Sequence, residues 1–230
     1  MRKGWALAQA RPWNDQTTVT AALRLDRGSD RFLRACGDWL FDRGVSTIRS
    51  PALALGQTPV WKRAGFGSHL ELDIYERDLR REVADSVVEV IEVQDPDPAQ
   101  LASIDDEAFD ETWRVGRLGL SDARQATARS VVLAVLSDDA PVGFSIVGET
   151  SRVGYLQRLA VRPSVQGRGV GRSLVRESIR WARRSGARTM LLNTQPDNQT
   201  SAALYRSEGF LRLPHRLQVL ARTPNSETPS

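Results

Sequence analysis

Residues 155 to 171, YLQRLAVRPSVQGRGVG, carry the clearest chemical signal in the chain. Tyr155 to Val161 is an apolar run that predicts a strand, and Pro163 ends it. Glycines follow at 167, 169 and 171. From Val170 the period changes, and Val170, Leu174, Val175, Ile179 and Ala182 recur at helical spacing until Gly186. A strand, a glycine-rich loop and a helix start in that order suit phosphate. Unpaired N–H groups at the helix N-terminus point at an anion, and glycines let the backbone approach it. Arg168 and Arg172 add charge. The third glycine comes one residue early for a dinucleotide fingerprint, and no Gly-Lys-Ser/Thr triplet forms a P-loop.

Gln166, Gly169 and Gly171 fit the pattern Gln/Arg-x-x-Gly-x-Gly/Ala, which resembles the acyl-coenzyme A loop of the GNAT superfamily of N-acetyltransferases. A second segment, NQTSAALYRSEGF, resembles the Asn-x-x-Ala-x-x-Leu-Tyr-x-x-x-Gly-Phe stretch of that family. It supplies Asn198, Ser201 in the alanine place, Leu204, Tyr205, Gly209 and Phe210. The resemblance covers about residues 85 to 222. It implies an α/β GNAT fold, a mixed and mostly antiparallel sheet flanked by helices. It also implies acetyl-CoA as co-substrate and transfer to a primary amine in a ternary complex. The implied acceptor is a protein N-terminus, a lysine or a small metabolite.

The resemblance assigns roles by position. The loop from Gln166 through Gly167, Arg168, Gly169, Val170 and Gly171 to Arg172 holds the diphosphate. The backbone of Leu159, Ala160 and Val161 takes the pantetheine and polarises the thioester. Asn198 and Ser201 complete the coenzyme side. Tyr205 protonates the leaving thiolate. Where several relatives carry a glutamate on the organising strand, this chain has Tyr155 and Gln157. Glu149, the nearest carboxylate before that strand, is taken as the base; Glu107, Asp110 and Glu111 stand on the acceptor side.

The positioning elements can be read along the chain. Residues 1 to 16 carry no clear pattern. A strand is expected at Thr18 to Leu25, a helix at Asp30 to Arg43, a strand at Val45 to Ile48, a helical turn at Pro59 to Ala64 and a strand at His69 to Tyr75. RACGDWLFDRGVSTI at 34 to 48 matches RESIRWARRSGARTM at 176 to 190, and VWKRAGF at 60 to 66 matches LYRSEGF at 204 to 210. This is a degenerate internal repeat. Its first copy has LDRGSD in place of the glycine loop and Trp61 in place of Tyr205, and Trp39, Trp61 and Phe66 are expected in its core. The expected division is a partial GNAT-like domain at 1–80, a catalytic domain at 81–222 and a disordered tail at 223–230. Glu76 to Ser86 is the expected linker. The tandem arrangement is similar to that of mycothiol synthases, which gives an alternative activity. A non-catalytic acyl-CoA-binding regulatory module is the other alternative.

In the second domain, strands are expected at Val87 to Val93, Val131 to Leu136, Val142 to Val147 and Ala187 to Thr194. Helices are expected from Pro98 to Phe109 and, broken, over Glu111 to Arg129. The last strands, Leu211 to Ala221, should be interrupted at Pro214.

Composition bounds the rest. The 230 residues carry a net charge of +4, and the 32 basic residues are arginine except Lys3 and Lys62. The arginines are interleaved with 28 acidic residues, so the excess reflects residue choice rather than a nucleic-acid surface. One cysteine and two histidines leave no ligand cluster for a metal. No apolar run reaches membrane-span length, and MRKGWALAQARPW has no apolar core of signal-peptide length, so a cytoplasmic protein is expected. A homodimer is compatible with these features.

Overall fold

The structure, a computed structural model, describes residues 1–13 and 19–224. In chain order it contains β1 (Arg2–Lys3), β2 (Ala6–Pro12), β3 (Thr20–Arg27), α1 (Asp30–Phe41), β4 (Thr47–Arg49), α2 (Thr58–Arg63), β5 (Gly67–Asp78) and β6 (Ile91–Val93). Then follow α3 (Pro98–Ala108), α4 (Gly116–Gln125), β7 (Arg129–Ser137), β8 (Ala140–Thr150), β9 (Val153–Val161), α5 (Val170–Arg184), β10 (Thr189–Thr194), α6 (Gln199–Ser207) and β11 (Leu211–Arg222). The chain forms two compact units. One comprises Met1–Asp73 with the stretch from His215, the other Ile74–Pro214. The fold class is the expected α/β mixed sheet flanked by helices.

In the first unit, β1 and β2 form a hairpin across Gly4, whose φ of 56° is open to glycine at no steric cost. Residues 2 to 12 are therefore largely strand, where the sequence shows no clear pattern, and residues 14–16 lie outside the described residues. Ala6 and Ala8 alternate inward, a period hidden by small residues with weak strand preference. β2 pairs antiparallel with β3, and β3 pairs parallel with β4 from Thr20↔Thr47 to Ala22↔Arg49. Leu33, Cys36 and Leu40 of α1 recur at helical spacing and pack with Leu23, Ile48, Trp61, Phe66 and Leu220. Trp61 and Phe66 meet edge to face at 4.9 Å, as expected of core residues. Trp39 is not a core residue. It is 45% exposed, and the Arg43 guanidinium covers its ring at 3.7 Å.

In the second unit, α5 covers one sheet face with Leu174, Val175, Ile179 and Ala182, over Leu133, Val147, Leu156 and Met190. α3 and α4 cover the other face, with Leu101, Ile104 and Leu120 against Phe144, Ile146 and Ala160. Asp97 caps α3 by accepting the Ala99 N–H at 2.8 Å, and Pro98 opens the helix. β7, β8 and β9 form an antiparallel meander, and β9 runs parallel to β10. Ile146 pairs with Arg158 and Val147 with Leu156, so Gln157 is bulged out of the ladder.

Several expected boundaries shift. Only Ile91–Val93 of the 87–93 stretch pairs as a strand. The broken helix expected over Glu111 to Arg129 is confined to Gly116–Gln125, and Arg129 opens β7. Pro214 does not interrupt β11. The expected linker is also partly strand, since β5 runs to Asp78. Beyond it the backbone is strapped down: the Arg77 guanidinium donates to the carbonyls of Arg81 and Glu82, and Arg180 donates to that of Ala84. Residues 225–230 of the expected tail, and Thr18 of the expected strand, lie outside the described residues.

Each copy of the repeat completes the other's unit. The end of β5 belongs to the second unit, and β11 from His215 belongs to the first. Within the first unit Arg216 of β11 pairs with Glu71 and Asp73 of β5, each at 2.7 Å. Within the second, Tyr75, Arg77 and Leu79 are 1%, 4% and 1% exposed. Arg77 donates to the Glu208 carbonyl at 2.8 Å, and its Nη1 lies over Gly209, where a Cβ would stand 3.2 Å away. A chain starting at Arg81 therefore lacks three core residues of the second unit. Loss of one buried aromatic ring costs about 3–5 kcal/mol, a large share of a domain's typical 5–15 kcal/mol. Such a fragment is expected to show no cooperative thermal transition and to lose near-UV circular dichroism. A melting temperature equal to that of the full chain would contradict this.

Candidate functional site

The loop between β9 and α5 places its groups through two left-handed glycines, Gly167 at φ 76° and Gly169 at φ 85°. A short turn at Pro163–Val165 leads in, and the Gln166 side chain donates to the Val161 carbonyl at 3.0 Å, closing the loop on its own strand. Gly169 is the N-cap of α5 and has no side chain to cap it. The first-turn N–H groups of α5 are therefore open to an external acceptor. A Cβ on Gly167 would meet nothing within 4 Å, so glycine is needed there for φ rather than for space. Arg168 is exposed and has no ion pair or hydrogen bond among the described residues. Arg172 is committed: its Nη1 lies 2.5 Å from the Glu208 carboxylate and 3.1 Å from the Ser207 hydroxyl. Glu208 is also held by Arg176 at 2.9 Å.

β9 pairs with β10 only as far as Leu156↔Leu192, yet it runs on to Val161. Past Leu156 its backbone edge opens, and the opening forms part of a cleft of about 750 Å³. Leu159, Ala160 and Val161 line it from the strand, and Gln166, Gly167, Gly169, Gly171 and Arg172 from the loop and α5. Asn198 and Ser201 line it from α6. Asn198 is also the cap of α6, accepting the Ser201 N–H at 3.0 Å. Most residues expected at the coenzyme site therefore share one cleft. Arg168 and Val170 do not line it: Arg168 faces solvent, and Val170 is buried in the core under α5. The sequence reading missed Ala108 and Phe109 at the end of α3, and Thr200, Ala203 and Ser207 on α6. Thr200, Ala203, Leu204 and Ser207 recur at helical spacing from one another, so that face was readable; Phe109 carried no such signal.

Tyr205 stands behind this wall rather than on it. It is 6% exposed, with the rings of Tyr75 and Phe210 at 6.1 and 6.0 Å. Burial pushes its phenol up to about 12, against the opposing pull of the Arg158 charge and a hydrogen bond with Ser201, which does line the cleft. Arg158 is fixed by the buried Asp105 carboxylate at 2.6 Å and the Trp113 carbonyl at 2.9 Å, and it stacks 3.7 Å above the Phe109 ring. The Gln157 side-chain oxygen is buried without a partner.

Glu149, taken from the sequence as the base, is placed elsewhere. It lies within β8 rather than before β9, and its carboxylate accepts Arg129 at 2.8 Å and the Arg152 N–H at 2.9 Å. Those bonds hold it below the usual carboxylate value, Arg129 contributing most, so it is a poor proton acceptor at neutral pH. It does not line the cleft. Of the other acids, Glu107 pairs with Arg162 and Asp110 caps the Thr112 N–H at 3.1 Å. Among the described residues no group of three or more His, Cys, Asp or Glu could hold a metal, and no helix is long and apolar enough to cross a membrane.

The chain is similar to known acetyltransferases. The model of the acetyltransferase (GNAT) family matches residues 87–210. Over 72 residues the chain is 40% identical to the N-alpha-acetyltransferase RimI of Mycobacterium tuberculosis, covering 31% of this chain and 44% of that protein. It is 33% identical over 73 residues to the mycothiol acetyltransferase of Renibacterium salmoninarum, covering 32% and 20%. It is 34% identical over 100 residues to an aminoglycoside N(6')-acetyltransferase type 1 of Stenotrophomonas maltophilia, covering 40% and 63%. The chain thus spans less than two thirds of each of these relatives. A tandem GNAT protein from the clavulanic acid biosynthesis pathway shares the fold, with a TM-score of 0.60 at 14% identity over 91% of this chain and 76% of that one. With more than half its length matched by the family model, the chain belongs to the GNAT family of acetyltransferases.

Proposed function

We propose that the chain is an acetyl-CoA-dependent N-acetyltransferase that moves an acetyl group directly to a primary amine in a ternary complex. The observation that carries this reading is the uncapped N-terminus of α5 opening beside the unpaired edge of β9. One feature suits a diphosphate and the other an extended amide chain with a thioester at its end. The first copy of the repeat offers the contrast: in α1 the Ser29 hydroxyl accepts the Phe32 N–H at 3.2 Å, so that helix start is already satisfied. The reading therefore places one acetyl-CoA per chain, in the second unit. The RimI and aminoglycoside relatives are named for amine acceptors, and the acceptor class here extends from them.

In this reading the β9 backbone N–H groups polarise the carbonyl, and the first turn of α5 neutralises the diphosphate. With its phenol pushed up to about 12, Tyr205 keeps its proton at neutral pH, and from behind the cleft wall it acts on the departing sulfur through its hydrogen bond with Ser201, which lines the cleft. Among the described residues no carboxylate lines the cleft, and in this reading the amine proton leaves through water. The absence of a lining base also favours a second reading, an acyl-CoA-binding module without turnover; acetylation of any amine decides between them.

Replacing Gly169 with Asp is expected to abolish acetyl-CoA binding in calorimetry run below the variant's melting temperature, because a carboxylate would face the diphosphate; the φ of 85° and Val87 3.3 Å from an added Cβ also lower that temperature. Unchanged affinity would move the site elsewhere, and a stoichiometry of two would assign a site to the first unit. Tyr205→Phe is expected to lower kcat roughly 10- to 100-fold at unchanged coenzyme affinity, the loss of one hydrogen bond to a charged group; full activity would leave Tyr205 a packing residue. Glu149→Gln is expected to keep kcat and lower the melting temperature at neutral pH. A carboxylate held low in the folded state contributes stability above its unfolded value. The difference from wild type should therefore shrink as pH falls through the folded value, and a kcat loss with an unchanged melting temperature would restore Glu149 as the base.

A further inference from the structure

We propose that the first unit carries a second binding cleft, which takes a short, extended, uncharged peptide segment by strand addition. This does not depend on the acetyl-transfer reading. β3 pairs with β4 only as far as Ala22↔Arg49. Beyond Arg49 the chain leaves β3 and follows β11. The Ser50 N–H donates to the Leu220 carbonyl at 2.8 Å, and Leu53 exchanges two bonds with Gln218, each at 2.9 Å. From Leu23 to Arg27, β3 therefore has β2 on one side and no strand on the other among the described residues. A cavity of about 500 Å³ opens there, with Arg24 and Leu25 on the strand side and Pro59, Val60, Trp61 and Arg63 of α2 opposite.

The chemistry of the walls narrows the occupant. Trp61 and Leu53 make an apolar floor, 3% and 5% exposed. The two arginines are already compensated, Arg24 by Asp26 at 2.8 Å and Arg63 by Asp30 at 3.2 Å, so nothing calls for an anion. A phosphate is disfavoured further. Ser29 caps α1, Asp30 puts negative charge in its first turn, and Phe32 stands 2.8 Å from where a Cβ on Gly28 would be. What remains is a strand edge with no ladder partner among the described residues, above an apolar floor. An extended peptide satisfies both, its main chain bonding to the edge and alternate side chains reaching the floor.

The test uses the full chain saturated with acetyl-CoA, labelled on Leu and Val methyls. The probe is a blocked, uncharged tetrapeptide of Ala and Leu. The methyl signals of Leu25, Leu53 and Val60 are expected to shift saturably. The shift should be lost with the same peptide N-methylated on every amide, which removes all of its donors. It should be lost also in Ala52→Trp, which fills the cavity from an exposed position. Gly56→Trp, where a Cβ meets nothing within 4 Å, serves if Ala52→Trp lowers the melting temperature. No saturable shift, a shift that survives N-methylation or filling, or movement of the same methyls by acetyl-CoA would each overturn the proposal.

Discussion

Past Leu156 the β9 backbone has, among the described residues, a sheet neighbour on one side only. The candidate site follows from that shortage. Buried backbone donors and acceptors need partners, and a strand that loses one leaves them to a ligand or to water. The bulge at Gln157 falls at the same point, so the strand changes direction as its pairing stops. Val161 then feeds the loop, and the loop delivers an uncapped helix start to the mouth of the cleft.

The two copies of the repeat show how much sequence separates a phosphate site from a structural turn. Both have a strand that loses its parallel neighbour, a helix after it and a second helix facing the opening. In one, the glycine at the cap position leaves the helix amides open; in the other, a serine takes them up. Trp61 and Tyr205 occupy matching places against Phe66 and Phe210, both edge to face, but only the tyrosine carries an acidic proton. The exchange of the last strands then makes each unit depend on residues from both copies.

Much of this was legible in the sequence. The helical period from Val170, the loop glycines and the repeat itself are local patterns, and the structure keeps them. What was not legible depends on distant pairing. The alternation in β2 is written in alanines, which carry little strand preference. Trp39 fits a core pattern by spacing but sits on the open side of α1, where Arg43 covers it. Glu149 lies near β9 in sequence, but partners from Arg129 and Arg152 fix it as a structural charge. No sequence pattern announces that β5 and β11 divide their residues between the two units, because that follows from tertiary pairing.

The central claim is that the acyl donor sits on the α5 start and the open edge of β9. Amide hydrogen exchange of the full chain, with and without acetyl-CoA, tests it most directly. The claim predicts slowed exchange at Gln157 to Val161 and at Gly167 to Arg172, with the first turn of α1 unchanged. Protection at Ser29 to Leu33, or none at the α5 loop, would contradict it.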